Sequence, residues 1–407
     1  MDDPDFVVVG GGVAGGAFAT VMARAGFSVV MLEITREHRD VVRGEYMASW
    51  GVIDAQKLGL YDLYMQGGGH HPMRLALYDE DVDPAAADAM AIDFNVLPLP
   101  PPIAMGHPRL CCLLDDAAEA AGVRFLRGVR HTRVTPGSPP VVTFEHEGSH
   151  HELKPRLVVG ADGRHGQTRR QIGIQEEADP VHHWMTGLLV EGIEGWPEDL
   201  SCIGVEGWRN YFVFPQGGGR ARLYLCFDLN DRDRFMGPDG ARSFLDAFRL
   251  SSATAAGALA AARPASDLFG YPNNDTWVDE PFAEGVVLIG DAAGHNDPII
   301  GQGLSIAQRD VRMVSEILIS GSDWSTAALR PYAEERAERM RRLRNVSRMV
   351  SVRDAEFTDE ARERRRRIGQ RLQLHPELIP TIQVPTIGPD ALPAEAYSEA
   401  TMAAILA

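Results

Sequence analysis

The sequence predicts a mixed α/β (α+β) chain: a parallel strand–helix–strand unit first, an antiparallel sheet in the middle and helices at the C-terminus. Three observations predict it. Residues 6–33 read as strand, glycine-rich turn, helix and strand. Residues 182–227 hold four apolar, β-branched or aromatic runs parted by turn residues, the pattern of an antiparallel sheet. Residues 324–353 are rich in Ala, Glu and Arg, with opposite charges three and four apart as on helix faces.

Phe6 to Val9 is an apolar run of the kind buried on both faces in a parallel sheet. Gly10, Gly12 and Gly15 follow at G-x-G-x-x-G spacing and open a helix from Val13 to Ala25, which stops at Gly26. Ser28 to Leu32 is the second strand, and Glu33 closes it. The glycines differ in what they permit. Gly10 allows the tight turn, Gly12 lets a pyrophosphate approach the backbone, and Gly15 lets helix and strand pack closely. The helix start at Val13 and Ala14 offers unpaired N–H groups and a positive dipole end to phosphates. Glu33 can take ribose hydroxyls. The context favours a Rossmann-like dinucleotide site over a merely structural turn, and leaves NAD and FAD both open.

Trp50 to Leu58 reads as a helix ended by Gly59, after a loop holding Arg43, which as an isolated arginine reads as surface charge. Residues 67–108 are rich in Gly, Pro and His and suit long irregular connections around one strand, Met73 to Tyr78. Arg109 to Ala121 is a helix. Phe125, Val129–Val134, Val141–Glu145 and Leu153–Val159 read as the strands of a β-meander, ending in the turn VVGADGRHGQTRR with Asp162. His182–Glu191, Leu200–Gly204, Arg209–Pro215 and Ala221–Phe227 are the antiparallel strands, with a hairpin at Gln216–Gly219. Arg242–Leu250 and 253–262 read as helices. Gly285–Ile289 is another buried strand, ending at Gly290 and Asp291. A loop through Pro298 and Gly301 then leads into a helix from Leu304 to Ile319, and Trp324–Arg353 continues as helix. The basic run Arg362 to Arg371 reads as a solvated helix face rather than a nucleic-acid or membrane site, and the tail from Pro385 as loosely ordered.

The chain has 407 residues, a net charge of −17 and 24% charged residues, which argues against general nucleic-acid binding. Cys111, Cys112, Cys202 and Cys226 show neither C-x-x-C nor metal-ligand spacing, so reduced core thiols in a cytoplasmic protein are expected and no metal is. Neither a signal peptide nor a membrane-spanning run is expected.

Three separated segments together resemble one family. GGGVAGG with Glu33, GADGRHGQTRR, and LIGDAAGHNDPIIGQGLSIAQRD resemble, in this order, the motifs of the FAD-dependent aromatic hydroxylases of the para-hydroxybenzoate hydroxylase type, the single-component flavoprotein monooxygenases. RGEYMASWGVIDAQKLGL is similar to the loop and helix that follow the dinucleotide unit there. The chain departs from the family at Gly294–His295, where a histidine commonly follows the two alanines, and at Ser305, where asparagine is common.

The resemblance implies FAD as cofactor and NADPH or NADH as transient reductant. It also implies O2 addition at flavin C4a to give a hydroperoxide, and oxygen transfer to an aromatic, polycyclic or otherwise electron-rich small molecule. It implies that Asp291 accepts a ribitol hydroxyl, that Gly301, Gln302, Gly303 and Leu304 present N–H groups to the flavin ring, and that Asp162 lies near the pyrophosphate. Arg43 and Arg109 would reach the cofactor, with Pro298, Gly301 and His295 bordering the reacting face. His182 and His183 are further candidates for a base, though isolated histidines are more often structural. The aromatic sheet would wall the substrate pocket, with Trp184, Tyr211 and Phe214 as its lining. The implied organisation is a discontinuous FAD-binding domain (1–78, 100–180, 268–340), a substrate-binding sheet domain (79–99, 181–267) and C-terminal helices and tail (341–407), as a monomer or homodimer.

Three rivals stay open. YFVFP at Tyr211–Pro215 is similar to a cavity motif of flavin reductases of the geranylgeranyl type. A flavin-dependent halogenase shares the fold, although its W-x-W-x-I-P signature is absent. A non-catalytic FAD protein that shields a reactive intermediate is the third.

Overall fold

The computed structural model describes residues 3–42 and 44–407. Arg43 lies outside the described residues. Among them a six-stranded sheet runs in the order Phe282–Ala283, Val286–Leu288, Leu157–Gly160, Phe6–Val9, Val29–Glu33, Arg124–Arg127. All neighbours are parallel except the edge pair Phe282–Ala283 and Val286–Leu288. Val9 stands beside Gly160 and Gly160 beside Leu288, so three central strands end level with one another.

Both faces of this sheet are covered at its centre, which is why the strands Val286–Leu288, Leu157–Gly160 and Phe6–Val9 are apolar throughout. Phe6 and Val8 pack with Ala17, Phe18, Leu114 and Val311 of the helices Val13–Arg24, His107–Ala120 and Gly303–Ser320. Val7 and Val9 point the other way, onto Val134, Val142, Phe144 and Leu153 of a three-stranded antiparallel meander (Arg130–Thr135, Val141–His146, Ser149–Leu153). The meander is thus smaller than expected. Phe125 belongs to a strand of the parallel sheet, and the run Leu153–Val159 divides into two strands on different sheets. Pro155 stands between them, where a strand cannot continue its ladder.

A second sheet of eight strands is built on the four expected runs, now His183–Glu191, Leu200–Glu206, Arg209–Gly217 and Arg220–Asp228. Arg74–Asp79 joins it in parallel with Leu200–Glu206, and Phe269–Asn273 pairs antiparallel with His183–Glu191, so two segments assigned to the dinucleotide unit belong to this sheet. The hairpin between its last two long strands turns at Gly217, Gly218 and Gly219, all at positive φ. One face packs on Gly240–Asp246 and Ala256–Ala260, two helices shorter than the sequence suggests. The segment 67–108 also holds the helix Pro84–Ala89 and the short strands Ile92–Asp93 and Ile103–Ala104.

The C-terminal region departs most from expectation. In the helix Asp359–Leu374 the basic run is paired, not merely solvated: Arg362 and Arg366 bind Asp81, and Arg365, 5% exposed at its side chain, binds Glu80 at 3.4 Å. The tail is packed rather than loose. Val384, Tyr397 and Ile405 are fully buried in one cluster with Met340, Leu343 and Val346 of the long helix Thr326–Asp354. Among the described residues no helix is long and apolar enough to cross a membrane.

Candidate active site

Parallel strands that end level put their following turns on one edge, where ligands of open α/β sheets bind. The turns at Gly10–Ala14, Asp162–Gly163 and Gly290–Asp291 therefore meet, and together with Pro298–Leu304 they line one cavity of about 1380 Å³. Gly10 has φ +107°, and a Cβ there would lie 2.4 Å from the Ala161 oxygen, so only glycine lets the first two turns touch. A Cβ at Gly15 would lie 1.9 Å from the Gly10 oxygen; this glycine serves helix packing and does not line the cavity. A Cβ at Gly12 would meet nothing within 4 Å, which leaves backbone facing open cleft.

Carboxylates punctuate the cleft. Glu33 Oε2 accepts from Gly11 N at 2.8 Å, and its Oε1 accepts from the Thr35 amide and hydroxyl. Asp162 Oδ2 accepts from Thr168 N and Oγ1, both at 2.9 Å, which ties the turn to the helix Thr168–Gln171. Asp162 Oδ1 is buried with no partner among the described residues. Asp291 lines the cavity with one long contact, 3.4 Å, from Arg164 Nε.

The Gly290–Gly294 turn is clamped from below by residues that the sequence analysis did not name. Asp310, fully buried, accepts from Gly290 N at 2.8 Å, Arg336 Nε at 3.0 Å and Arg339 Nη2 at 2.6 Å. Arg336 also donates to the carbonyls of Gly290, Ala293 and Gly294. Arg169 donates to Ala292 O and Glu176, joining the second and third turns. A signal existed: Arg336 and Arg339 lie at helical spacing on the stripe of Leu329, Tyr332, Leu343 and Val346, which is buried.

Beyond Pro298–Leu304 the cavity opens against the second sheet. Met185, Ile203, Phe212, Phe214, Tyr224 and Tyr271 line it there. Strand alternation decides which aromatics reach it. Phe214 lines it. Tyr211 and Trp184 do not: both pack on the opposite face, where Tyr211 shares a 2.7 Å hydrogen bond with Ser252 Oγ. The side facing the cleft is also the side of Phe212, which belongs to the YFVFP run, and of Tyr224, which the sequence analysis did not name. Glu45, 2% exposed, lines the cavity as well. Burial pushes its carboxyl up, yet Arg222 binds both its oxygens and His107 N donates to it at 3.1 Å, so it clamps the loop to the sheet.

Other expected residues lie elsewhere. Arg109 does not line the cavity; its Nε donates to Gly67 O at 3.1 Å. His295 is 8% exposed and is held off the cleft by Thr276 Oγ1, 2.8 Å from its Nδ1; burial, then Arg164, pushes its pKa down to about 4. His183 is buried 3.4 Å from Asp297 Oδ1; against the cost of burial, Cys226 and Asp297 push it up to about 10, unsuited to a base at neutral pH. His182 is exposed. Ser305 is turned from the cleft and accepts from Ala48 N at 3.0 Å, so the chain's departure from asparagine serves close packing against Gly51. Gln302 Oε1 accepts from Trp50 Nε1 at 2.7 Å, fixing the turn before the helix Gly303–Ser320, whose first intrahelical donor is Ile306 N to Gln302 O.

A family model described as FAD binding domain matches residues 3–347. The chain is 27% identical over 318 residues to digeranylgeranylglycerophospholipid reductase 1 of Methanococcoides burtonii, covering 75% of this chain and 72% of the relative. It is 25% identical over 354 residues to 3-demethoxyubiquinol 3-hydroxylase of Escherichia coli, covering 79% and 81%. The crystal structure of p-nitrophenol 4-monooxygenase from Pseudomonas putida superposes with a TM-score of 0.75 at 17% identity, over 89% of this chain and 92% of that one.

Proposed function

The chain belongs to the FAD-binding-domain family, and from that premise we propose that it is an FAD-dependent monooxygenase that uses NAD(P)H and O2 to hydroxylate an apolar, electron-rich small molecule, aromatic or polycyclic. The observation that carries this reading is the continuity of one cavity, from Gly10–Ala14 and Glu33, past Asp291 and Gly301–Leu304, into the apolar wall of the second sheet. A cofactor ring at the Gly301–Leu304 turn would stand between the two ends.

The residues fit the cofactor. Bare backbone at Gly12 and the unpartnered Asp162 Oδ1 suit a ligand rich in both phosphate oxygens and hydroxyl donors. Gly10–Ala14 would hold the pyrophosphate, Glu33 the adenosine ribose and Asp291 the ribitol chain. Bound FAD supplies the redox chemistry, passing electrons from NAD(P)H to O2. The chain's own part is positional and electrostatic. The N-terminal N–H groups of the helix Gly303–Ser320, preceding Ile306 N, aim a positive dipole end at whatever sits against the turn, which favours negative charge there. The apolar walls at Phe212, Phe214, Ile299 and Ile300 exclude water from the same place, which limits loss of reduced oxygen species to solvent. Asp310 and Arg336 keep the Gly290–Gly294 turn, and with it Asp291, in register.

The test is NAD(P)H oxidation followed together with O2 uptake while electron-rich aromatic compounds are screened. A hydroxylase consumes both and releases a product heavier by one oxygen atom. The match to a reductase favours one second reading, reduction of an unsaturated lipid-like molecule on the same apolar wall. Flavin turnover without O2 consumption, with a product heavier by two hydrogens, would establish that reading and overturn the first.

A further inference from the structure

Pro385 and Thr386 reach the cavity from outside the stretch that the family model covers. Val384–Ile387 form one helical turn, and Pro385 and Thr386 line the same cavity as Gly301–Leu304, Phe212 and Phe214. Several ties hold this turn in place. Gln302 Nε2 donates to Pro385 O at 3.1 Å while Gln302 Oε1 holds Trp50. Gly388, at φ +97°, lies so close to Trp50 that a Cβ there would come within 2.8 Å of the Trp50 Cβ. Asp390 Oδ2 accepts from Arg309 Nη1 at 2.7 Å, and Pro389 O accepts from Arg342 Nη1 at 3.0 Å. Val384 is fully buried in one apolar cluster with Ile299, Ile300, Phe212 and Phe214.

A segment bound in this way to Gln302, the residue just before the cleft-facing helix, is a fixed boundary of the cavity. We propose that the Pro385–Thr386 turn is a specificity-determining wall of the substrate chamber, setting how large a ring system can lie against Gly301–Leu304. The inference rests on the reading of the sheet end of the cavity as the substrate chamber. Of the two residues Thr386 is the adjustable one. Pro385 carries the carbonyl that Gln302 grips, whereas Thr386, a lining residue 8% exposed, can change its side chain without touching that tie. The physical basis is size exclusion: in a close-packed apolar pocket a change of even one methylene alters binding about 10-fold or more.

Isothermal titration calorimetry on the FAD-loaded full chain tests it, with 2-naphthol, 9-phenanthrol and 1-hydroxypyrene as probes. The three are neutral phenols that differ in ring count. Thr386→Trp should lose about tenfold or more in affinity for 1-hydroxypyrene and much less for 2-naphthol. Thr386→Ala should shift the preference the other way, toward the largest probe. Flavin absorbance after desalting reports that each variant keeps its cofactor, and where the Trp variant does not, the Ala variant decides. If the unaltered enzyme binds none of the three, the chamber reading falls and this inference with it. If it binds them and both cofactor-retaining variants, or Thr386→Ala alone, keep its size preference, the wall inference falls while the chamber reading stands.

Discussion

Replacing Asp310 by Asn removes one negative charge from a place that water does not reach. The carboxylate is fully buried, and the Arg336 and Arg339 side chains it faces are each 1% exposed. Without it Arg336 keeps only carbonyl partners, and Arg339 keeps Glu335, itself 26% exposed. Breaking a buried pair costs about 3–5 kcal/mol because the remaining charge stays desolvated. The surviving partners place this case near the lower end, about 3 kcal/mol, against a total stability of roughly 5–15 kcal/mol for a typical domain. Gly290 N also loses its charged acceptor, so FAD retention should fall together with stability. Equilibrium urea unfolding and flavin absorbance after desalting measure the two. The pH dependence has a definite sign. Burial alone would push the Asp310 carboxyl up, but Arg336 and Arg339 outweigh it and hold it below the ordinary carboxylate value. The unfolded chain then binds the proton more readily, so the stabilisation is complete above the unfolded value of about 3.9 and is lost as pH falls through the native one. The gap between the unaltered protein and Asp310→Asn should stay constant from neutral pH to about pH 5 and narrow below about pH 4. A loss under about 1 kcal/mol at neutral pH, or a gap that widens in acid, would refute this account of the clamp.

Three further outcomes follow from the same geometry. Asp291→Ala should purify with less flavin and little change in thermal midpoint, since the side chain lines the cleft and has only a 3.4 Å contact to Arg164; unchanged flavin content would remove it from the cofactor site. Tyr211→Phe should cost about 1 kcal/mol by stripping Ser252 of its partner, without changing the affinity of an aromatic ligand. Phe214→Ala should weaken that affinity as well as costing about 3 kcal/mol, and equal effects of the two on ligand binding would contradict the assigned sheet faces. His295, pushed down to about 4 first by burial, is neutral in the native state where the unfolded ring, at about 6.5, is already protonating. Its contribution is therefore full above about pH 6.5 and lost as pH falls toward about 4. His295→Gln should flatten acid destabilisation across that window, and parallel stability profiles for the two proteins would count against this assignment.

The basic helix, the tail and the pocket aromatics show where reading the chain alone stops. The arginines of Asp359–Leu374 carry no mark of the acidic Asp79–Asp81 loop that meets them, because that loop lies far off in sequence. Arg336 sits on an apolar helical stripe, but its partner Asp310 belongs to another helix, and only packing brings the two charges together. The tail's proline and alanine composition resembles a loose segment, while its burial depends on a groove beside Trp50 and the helix Thr326–Asp354 that the tail cannot announce.

By itself the sequence determined the parallel unit, the strand runs and the three glycine-and-aspartate turns. These are local matters: a position that needs φ above zero or a missing Cβ must be glycine, and a strand buried on both faces must be apolar throughout. Tertiary structure alone decided that Phe214 and not Tyr211 faces the cleft, that Arg109 and His295 turn away from it, and that Pro385 and Thr386 line it. Alternation along a strand says that neighbouring side chains oppose each other. Which of the two sides meets the cavity depends on what packs against the sheet, and that is set by segments far away along the chain.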